Sequence, residues 1–286
     1  MSRQKNSSWV LFVLLAMVWG SSFILIKKAS AELTGWQVGA IRIFSAGLLF
    51  LPFAIFHLGK LPSSKVPLII LTGLLGNLFP AFLFAIAIQH KIESSLAGIL
   101  NSLTPLFVII IGGLFFKSKV ESKKVVGVLI GFIGLLVLSI SRGPLTISDI
   151  GFTLLILLAT VLYGVNVNIV GTYLKGIDPI KMATVSIAFL TIPTAIVLWL
   201  NPVSFSSADT RKSILAAVTL GILGSAVATV LFYMLIKKAG GLFASLVTYA
   251  IPFVAIFWGL LANENIGLLQ IGCLGIILIG VYQTNK

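Results

Sequence analysis

Ten apolar stretches follow one another along this chain, near 9–26, 36–56, 66–89, 94–116, 123–140, 150–172, 180–200, 213–236, 242–262 and 266–283. About 20 apolar residues cross ~30 Å of hydrocarbon as a helix, and in lipid a helix satisfies its own backbone hydrogen bonds. The pattern therefore predicts an all-α integral membrane protein of ten transmembrane helices, with connections too short for a soluble domain. Composition excludes the soluble alternative. With 58% hydrophobic and 9% charged residues, the 286-residue chain cannot present a charged exterior to water. The net charge of +13 would suggest nucleic acid in a soluble protein. Here it falls in short clusters between apolar runs, which instead orients a membrane protein and gives no nucleic-acid surface.

Of the 20 Lys and Arg, thirteen fall on the amino-terminal side of this topology, among them Lys60, Lys65, Lys117, Lys119, Lys175, Lys181, Lys237 and Lys238. Six fall opposite, and Arg42 lies inside the second span. Both termini are thus expected in the cytoplasm. The basic start and first apolar run resemble a cleavable leader. That reading is set aside because the run is long, Lys27 and Lys28 interrupt it, and the internal repeat needs this helix.

The second half repeats the first. "LLAMVWGSSF" from Leu14 aligns with "LLATVLYGVNV" from Leu157, placing Trp19-Gly20 on Tyr163-Gly164. "LLGNLFPAFLF" from Leu74 aligns with "ILGSAVATVLF" from Ile222, pairing Asn77 with Ser225 and Phe84 with Phe232. "GILNSLTPLFVIIIGG" from Gly98 finds its partner in "SLVTYAIPFVAIFWG" from Ser245, with Pro105 on Pro252 and Asn101 on Thr248. An odd number of spans per half makes the copies antiparallel. The expected architecture is two inverted five-helix repeats, 9–140 and 150–283, within a single membrane domain, with a substrate site near the midplane where they face each other.

These residues carry a resemblance to the drug/metabolite transporter superfamily, in its ten-helix EamA-type branch. It covers nearly the whole chain and rests on Trp19-Gly20-Ser21-Ser22, Arg42, the helices "SSLAGILNSLTPLF" and "ASLVTYAIPFVAIF", and the glycine-studded "GVLIGFIGLLVL" and "GCLGIILIGVY". The family often has a glutamate after the fourth and ninth helices; this chain has Glu264 at the second position and Lys119 at the first. The resemblance implies export or exchange of small metabolites, amino acids or amines, across a bacterial cytoplasmic membrane.

The candidate site follows from polar groups that cost stability in hydrocarbon. A proline inside a helix frees the carbonyl four residues earlier, so Pro105 frees that of Asn101 and Pro252 that of Thr248. Each then offers a backbone oxygen and a polar side chain at one depth, tolerable only against protein or a wet cavity. The cavity is expected to take Trp19 and Ser22, Asn77 and Phe84 beside the helix-breaking Pro80, Thr104, Tyr163 and Asn166, Ser225, Tyr233 and Tyr249, since residues three or four apart share a helix face. Asn168, about 140° from Tyr163 on the helix, ranks below Asn166. Arg42 is expected to snorkel to the outer face, with a contact to a substrate carboxylate as the alternative. The glycine-rich fifth and tenth helices read as close packing within the bundle, with a homodimer interface as the alternative.

No Asp or Glu lies deep in a span, and no GxxxxGK[ST] occurs for ATP. The sequence thus predicts a facilitator or exchanger without cofactor, a monomer or homodimer, whose partners are the bilayer and a small molecule. The leading substrate class is a neutral amino acid or related zwitterion; an apolar amine or drug is the alternative. An intramembrane enzyme would require clustered His, Asp or Glu, and a channel would require rings of like charge or a continuous polar stripe. The sequence has neither.

Overall fold

A computed structural model describes residues 2–90, 92, 94–140, 150–205, 207–261 and 267–284. Among them every regular element is helical. Seven helical segments are long and apolar enough to cross a bilayer: Ser7–Ala29, Gly35–Leu58, Ser63–Gln89, Ala97–Phe115, Ile150–Tyr173, Pro179–Leu200 and Ala208–Ala239. The stretch predicted near 123–140 is the helix Ser122–Ile140. Those near 242–262 and 266–283 include the shorter apolar helices Gly241–Val254 and Ile271–Thr284. Apolar side chains cover the outside, with Phe56, Leu114 and Phe115 at least 70% exposed, as a lipid-facing surface requires. Glu93, Asp149 and Glu264 lie outside the described residues, as does the side chain of Trp258.

Several crossings are interrupted where sequence periodicity alone predicts continuity. The third consists of α3 (Val66–Gly73), a π-turn (Leu74–Leu78) and α4 (Phe79–Gln89), with Pro80 at the start of α4 where a missing amide hydrogen costs little. The segment Ala208–Ala239 repeats this with α11 (Ala208–Gly221), a π-turn (Ile222–Val227) and α12 (Ala228–Ala239). The two π-turns fall on the aligned "LLGNL" and "ILGSAV". The segment Pro179–Leu200 breaks at Phe189-Leu190, between α9 (Pro179–Ala188) and α10 (Thr191–Leu200).

The two proline helices break differently. Around Pro105, α5 (Ser94–Asn101) ends and α6 (Thr104–Phe115) restarts with the proline in its first turn. Around Pro252 the interruption comes earlier, at Leu246 between α13 (Gly241–Ser245) and α14 (Val247–Leu261), and the proline remains inside α14.

Helices α7 (Ser122–Ile140) and α15 (Leu268–Thr284) cross at their glycines. A Cβ on Gly280 would fall on the backbone of Gly131 and Gly127, and one on Gly127 would meet Thr284 Oγ1 at 2.5 Å. Packing within the chain thus accounts for Gly127, Gly131 and Gly280. Gly272 and Gly275 have nothing within 4 Å of that position.

Candidate functional site

A chamber opens between the interrupted helices. It is lined by Trp19, Ser22, Phe23 and Ile26 of α1 (Ser2–Ala29), Arg42 of α2 (Gly35–Leu58), Gly76, Asn77 and Phe84 of the third crossing, and Asn101 and Thr104 at the α5–α6 break. From the second half come Tyr163 and Asn166 of α8 (Ile150–Tyr173), Gly224, Thr229, Phe232 and Tyr233 of the segment Ala208–Ala239, and Ser245, Thr248 and Ile251. Its volume of about 80 Å³ would hold roughly three waters at ~30 Å³ each.

Two aromatic pairs form its walls. Trp19 packs on Phe232 with ring centroids 5.1 Å apart, and Phe84 stacks on Tyr163 at 6.4 Å. In the sequence alignment Trp19 corresponds to Tyr163 and Phe84 to Phe232, so each pair joins one residue from each half. The glycines of the π-turns serve the same arrangement. A Cβ on Gly224 would stand 3.0 Å from Ser22 Oγ, and one on Gly76 would fall on the amide of Asn166. Glycine at these two positions is what lets α1 and α8 bring a polar side chain against the turn.

The polar groups divide into bonded and unbonded sets. Thr229 donates its hydroxyl hydrogen to Asn77 Oδ1 at 2.9 Å, joining the two halves across the chamber. Ser22 donates to Val18 O and Ser245 to Leu242 O within their own turns. The carbonyl of Asn101, predicted to be free because of Pro105, instead accepts from Thr104 Oγ1 at 2.6 Å. That corrects the expectation at Asn101. A threonine immediately before the proline supplies the hydrogen that the proline lacks. Left without a partner among the described residues are the buried side-chain oxygens of Asn101 and Asn166 and the hydroxyl of Tyr233. Tyr233 faces Thr72, Asn166 and Ser186 without reaching hydrogen-bond geometry. A buried polar atom with no partner costs ~1–3 kcal/mol, and the three residues that carry these atoms all line one chamber.

Arg42 does not snorkel. Its Nε donates to Ser225 Oγ at 2.8 Å, and its Nη2 lies 3.4 Å from the Gly224 carbonyl. The reason is local. A Cβ on Gly221 would fall on the Arg42 carbonyl, so α2 lies directly on the last residue of α11, where the π-turn begins. From there the guanidinium reaches the turn. The Gly224 carbonyl also accepts from Trp19 Nε1 at 3.2 Å. Ser225, predicted to line the chamber, is fully buried behind Arg42 and holds it.

Tyr249 is the second correction. It is fully buried, donates to Val128 O at 3.0 Å and packs on Gly131, away from the chamber. One residue beyond Thr248 on a helix is turned by about 100°, which directs the ring toward α7. Asn168 also stays outside, donating to Val108 O at 3.0 Å and Gly164 O at 2.9 Å. Pro105 and Pro252 shape the backbone without lining the space. Sequence reasoning missed Thr229 and Ser245, whose types are unremarkable in an apolar helix. Gly76 and Gly224 stand next to the aligned Asn77 and Ser225, and that adjacency was the available signal.

A second cavity of about 110 Å³ lies beyond Tyr233, lined by Lys175, Ile177, Met182, Ile236, Lys237 and Gly240 among others. Tyr233 borders both spaces. Along α1 the chamber lining runs from Trp19 to Ile26, away from the lysine-rich side.

The EamA-like transporter family model matches the chain twice, over residues 7–140 and 151–285. An uncharacterized transporter of Archaeoglobus fulgidus is 26% identical over 96% of this chain and 97% of its own length. The uncharacterized inner membrane transporter YedA of Escherichia coli is 25% identical over 93% of this chain and 87% of its own. A WAT1-related chloroplastic protein of Arabidopsis thaliana is 26% identical over 97% of this chain and 69% of its own. A solved crystal structure superposes with a TM-score of 0.71 at 15% identity, covering 97% of this chain and 96% of that one. The likeness is one of fold.

Proposed function

This chain belongs to the EamA-like transporter family, a multi-pass membrane transporter, and on that premise we propose that the chamber is its solute site. In this reading the protein is a secondary transporter. It moves small metabolites, neutral amino acids or related zwitterions, by alternating access across a bacterial cytoplasmic membrane, in the direction of export. The observation that carries the reading is that Asn101, Asn166 and Tyr233, each with a buried polar atom unpartnered among the described residues, all line one chamber bordered by both matched halves. A protein keeps such groups unpaired where a ligand completes them.

The mechanism rests on ten helices in two inverted five-helix repeats, 9–140 and 150–283. Support comes from contacts that recur under the alignment. Trp19 on Phe232 corresponds to Tyr163 on Phe84, and Ser22 at Gly224 corresponds to Asn166 at Gly76. Tyr233 would be the barrier that opens when the halves rock, joining the chamber to the lysine-lined cavity. The lysine-rich side is assigned to the cytoplasm, with both termini, following the distribution of Lys and Arg. The inner-membrane designation of YedA supports the location.

The aromatic walls favour a second reading, an exporter of apolar amines seated by cation–π contacts. Counterflow in proteoliposomes tests the primary one. Vesicles preloaded with a mixture of neutral amino acids are expected to accumulate external tracer transiently and saturably. Tracer entry that is linear with concentration and shows no countertransport would indicate a channel. Absence of exchange with any amino acid would remove the substrate class.

A further inference from the structure

The chamber contains a cation for which the described residues provide no counter-ion. Arg42 meets two neutral acceptors, Ser225 Oγ through Nε and the Gly224 carbonyl through Nη2. Both lie along one edge of the guanidinium. A guanidinium carries five N–H donors in a planar fork, so the end edge, formed by Nη1 and the second N–H of Nη2, is committed to neither contact. Among the described residues no carboxylate pairs with Arg42 and none lines the chamber. An unpaired charge out of water is costly, and a partner that supplies the opposite charge with matched geometry removes most of that cost.

We propose that Arg42 seats the carboxylate of the solute through its free end edge, so that the transporter selects carboxylate-bearing solutes and rejects apolar amines that lack one. The proposal rests on the chamber being the solute site. The π-turn fixes the side edge of the guanidinium and thereby aims the other edge into the chamber. The remaining groups complement this arrangement. Asn101 and Asn166 line the chamber and each has a side-chain oxygen with no donor among the described residues, which an ammonium group could supply, and Trp19, Phe84, Tyr163 and Phe232 surround the space for an apolar side chain. An amine without a carboxylate would satisfy the oxygens yet leave two cations facing each other in one small chamber.

The test uses the full-length protein in lipid nanodiscs and reads its thermal unfolding midpoint. The ligands are the neutral L-amino acids, the carboxamide of each, the amine of each without its carboxyl group, and the acid of each without its amino group. Carboxylate-bearing members are expected to raise the midpoint, and the matching amides and amines are not. R42M should weaken the acids roughly 10- to 100-fold, the range of a lost charge-assisted pair, and bring the acid-over-amide ratio near one. R42K should retain part of the preference, since it keeps the charge and loses the fork. S225A, which only loosens the guanidinium, should reduce affinity less and preserve the ratio, and it serves if R42M fails to fold. The proposal is overturned if amides or amines stabilise as well as the acids, if no carboxylate stabilises, or if R42M keeps the preference. Stabilisation by amino-free acids alone would sink the amino-acid reading and leave Arg42 in its role. Stabilisation by amines alone would sink Arg42 and leave the chamber as a solute site.

Discussion

A Cβ on Gly20 would stand 2.6 Å from Cβ of Val254, so the first helix and α14 touch backbone to side chain. The aligned pair behaves alike: a Cβ on Gly164 would stand 2.9 Å from Cβ of Phe107. Neither neighbour is the end of a flexible chain. Gly20→Ala and Gly164→Ala should each destabilise by about 1–3 kcal/mol, the range for overpacking. Thermal unfolding in nanodiscs checks this, and a midpoint unchanged in both variants would mean that these close crossings do not hold the bundle together.

The hydroxyl of Thr104 occupies the carbonyl that Pro105 leaves open. Thr104→Val keeps the shape and removes the donor, so the Asn101 carbonyl becomes a buried orphan at a cost of about 1–3 kcal/mol. Thr104→Ser should recover most of that loss. If valine and serine unfold at the same temperature, the hydrogen bond contributes nothing.

Asn101 presents the reverse situation, since its side-chain oxygen is already unpartnered. Asn101→Leu should leave the ligand-free protein as stable as before or more stable, because the orphan is removed. Exchange should fall at least ~10-fold if a solute group is its missing partner, the worth of one hydrogen bond to a charged group. Loss of stability together with retained exchange would assign Asn101 a structural role instead.

Tyr233 separates the chamber from the lysine-lined cavity. Tyr233→Ala should connect them and let proteoliposomes leak erythritol, a small neutral probe, which the wild type excludes. An equally tight variant would place the barrier elsewhere.

Among the described residues no Asp, Glu or His lines the chamber. Histidine is the side chain whose ordinary pKa lies near neutrality. Exchange rates should therefore be flat between about pH 6 and 8 and insensitive to a protonophore. A steep pH profile, or accumulation dissipated by the protonophore, would point to a proton-carrying group outside the chamber.

Much of the site was legible in the sequence because membrane helices make polar residues conspicuous and the chain is written twice. Trp19 and Ser22, Asn77 and Phe84, and Tyr163 and Asn166 share helix faces at ordinary spacing, and the structure brings all six to one chamber. The misreadings have separate physical origins. Both π-turns shift the helix register, and periodicity assumes that the register is constant; Arg42 turned inward because of one such turn. The Asn101 carbonyl was counted as free because a proline's effect is read from its own ring, whereas Thr104 restores the bond from the side. Tyr249 was placed by proximity in sequence to Thr248, and the helical rotation of a single residue sends it to Val128. Thr229 and Ser245 carry no mark in the sequence, since threonine and serine in apolar helices ordinarily bond within their own turn.

The central claim is that a single chamber faces each side of the membrane in turn. Thr248→Cys, introduced with Cys273 replaced by alanine, places one thiol on the chamber wall. Membrane-impermeant maleimide is then applied to right-side-out and to inverted vesicles. Modification from both faces, at different rates and without solute leak, is the predicted result. A thiol reached from one face only, or from neither, would contradict alternating access at this site.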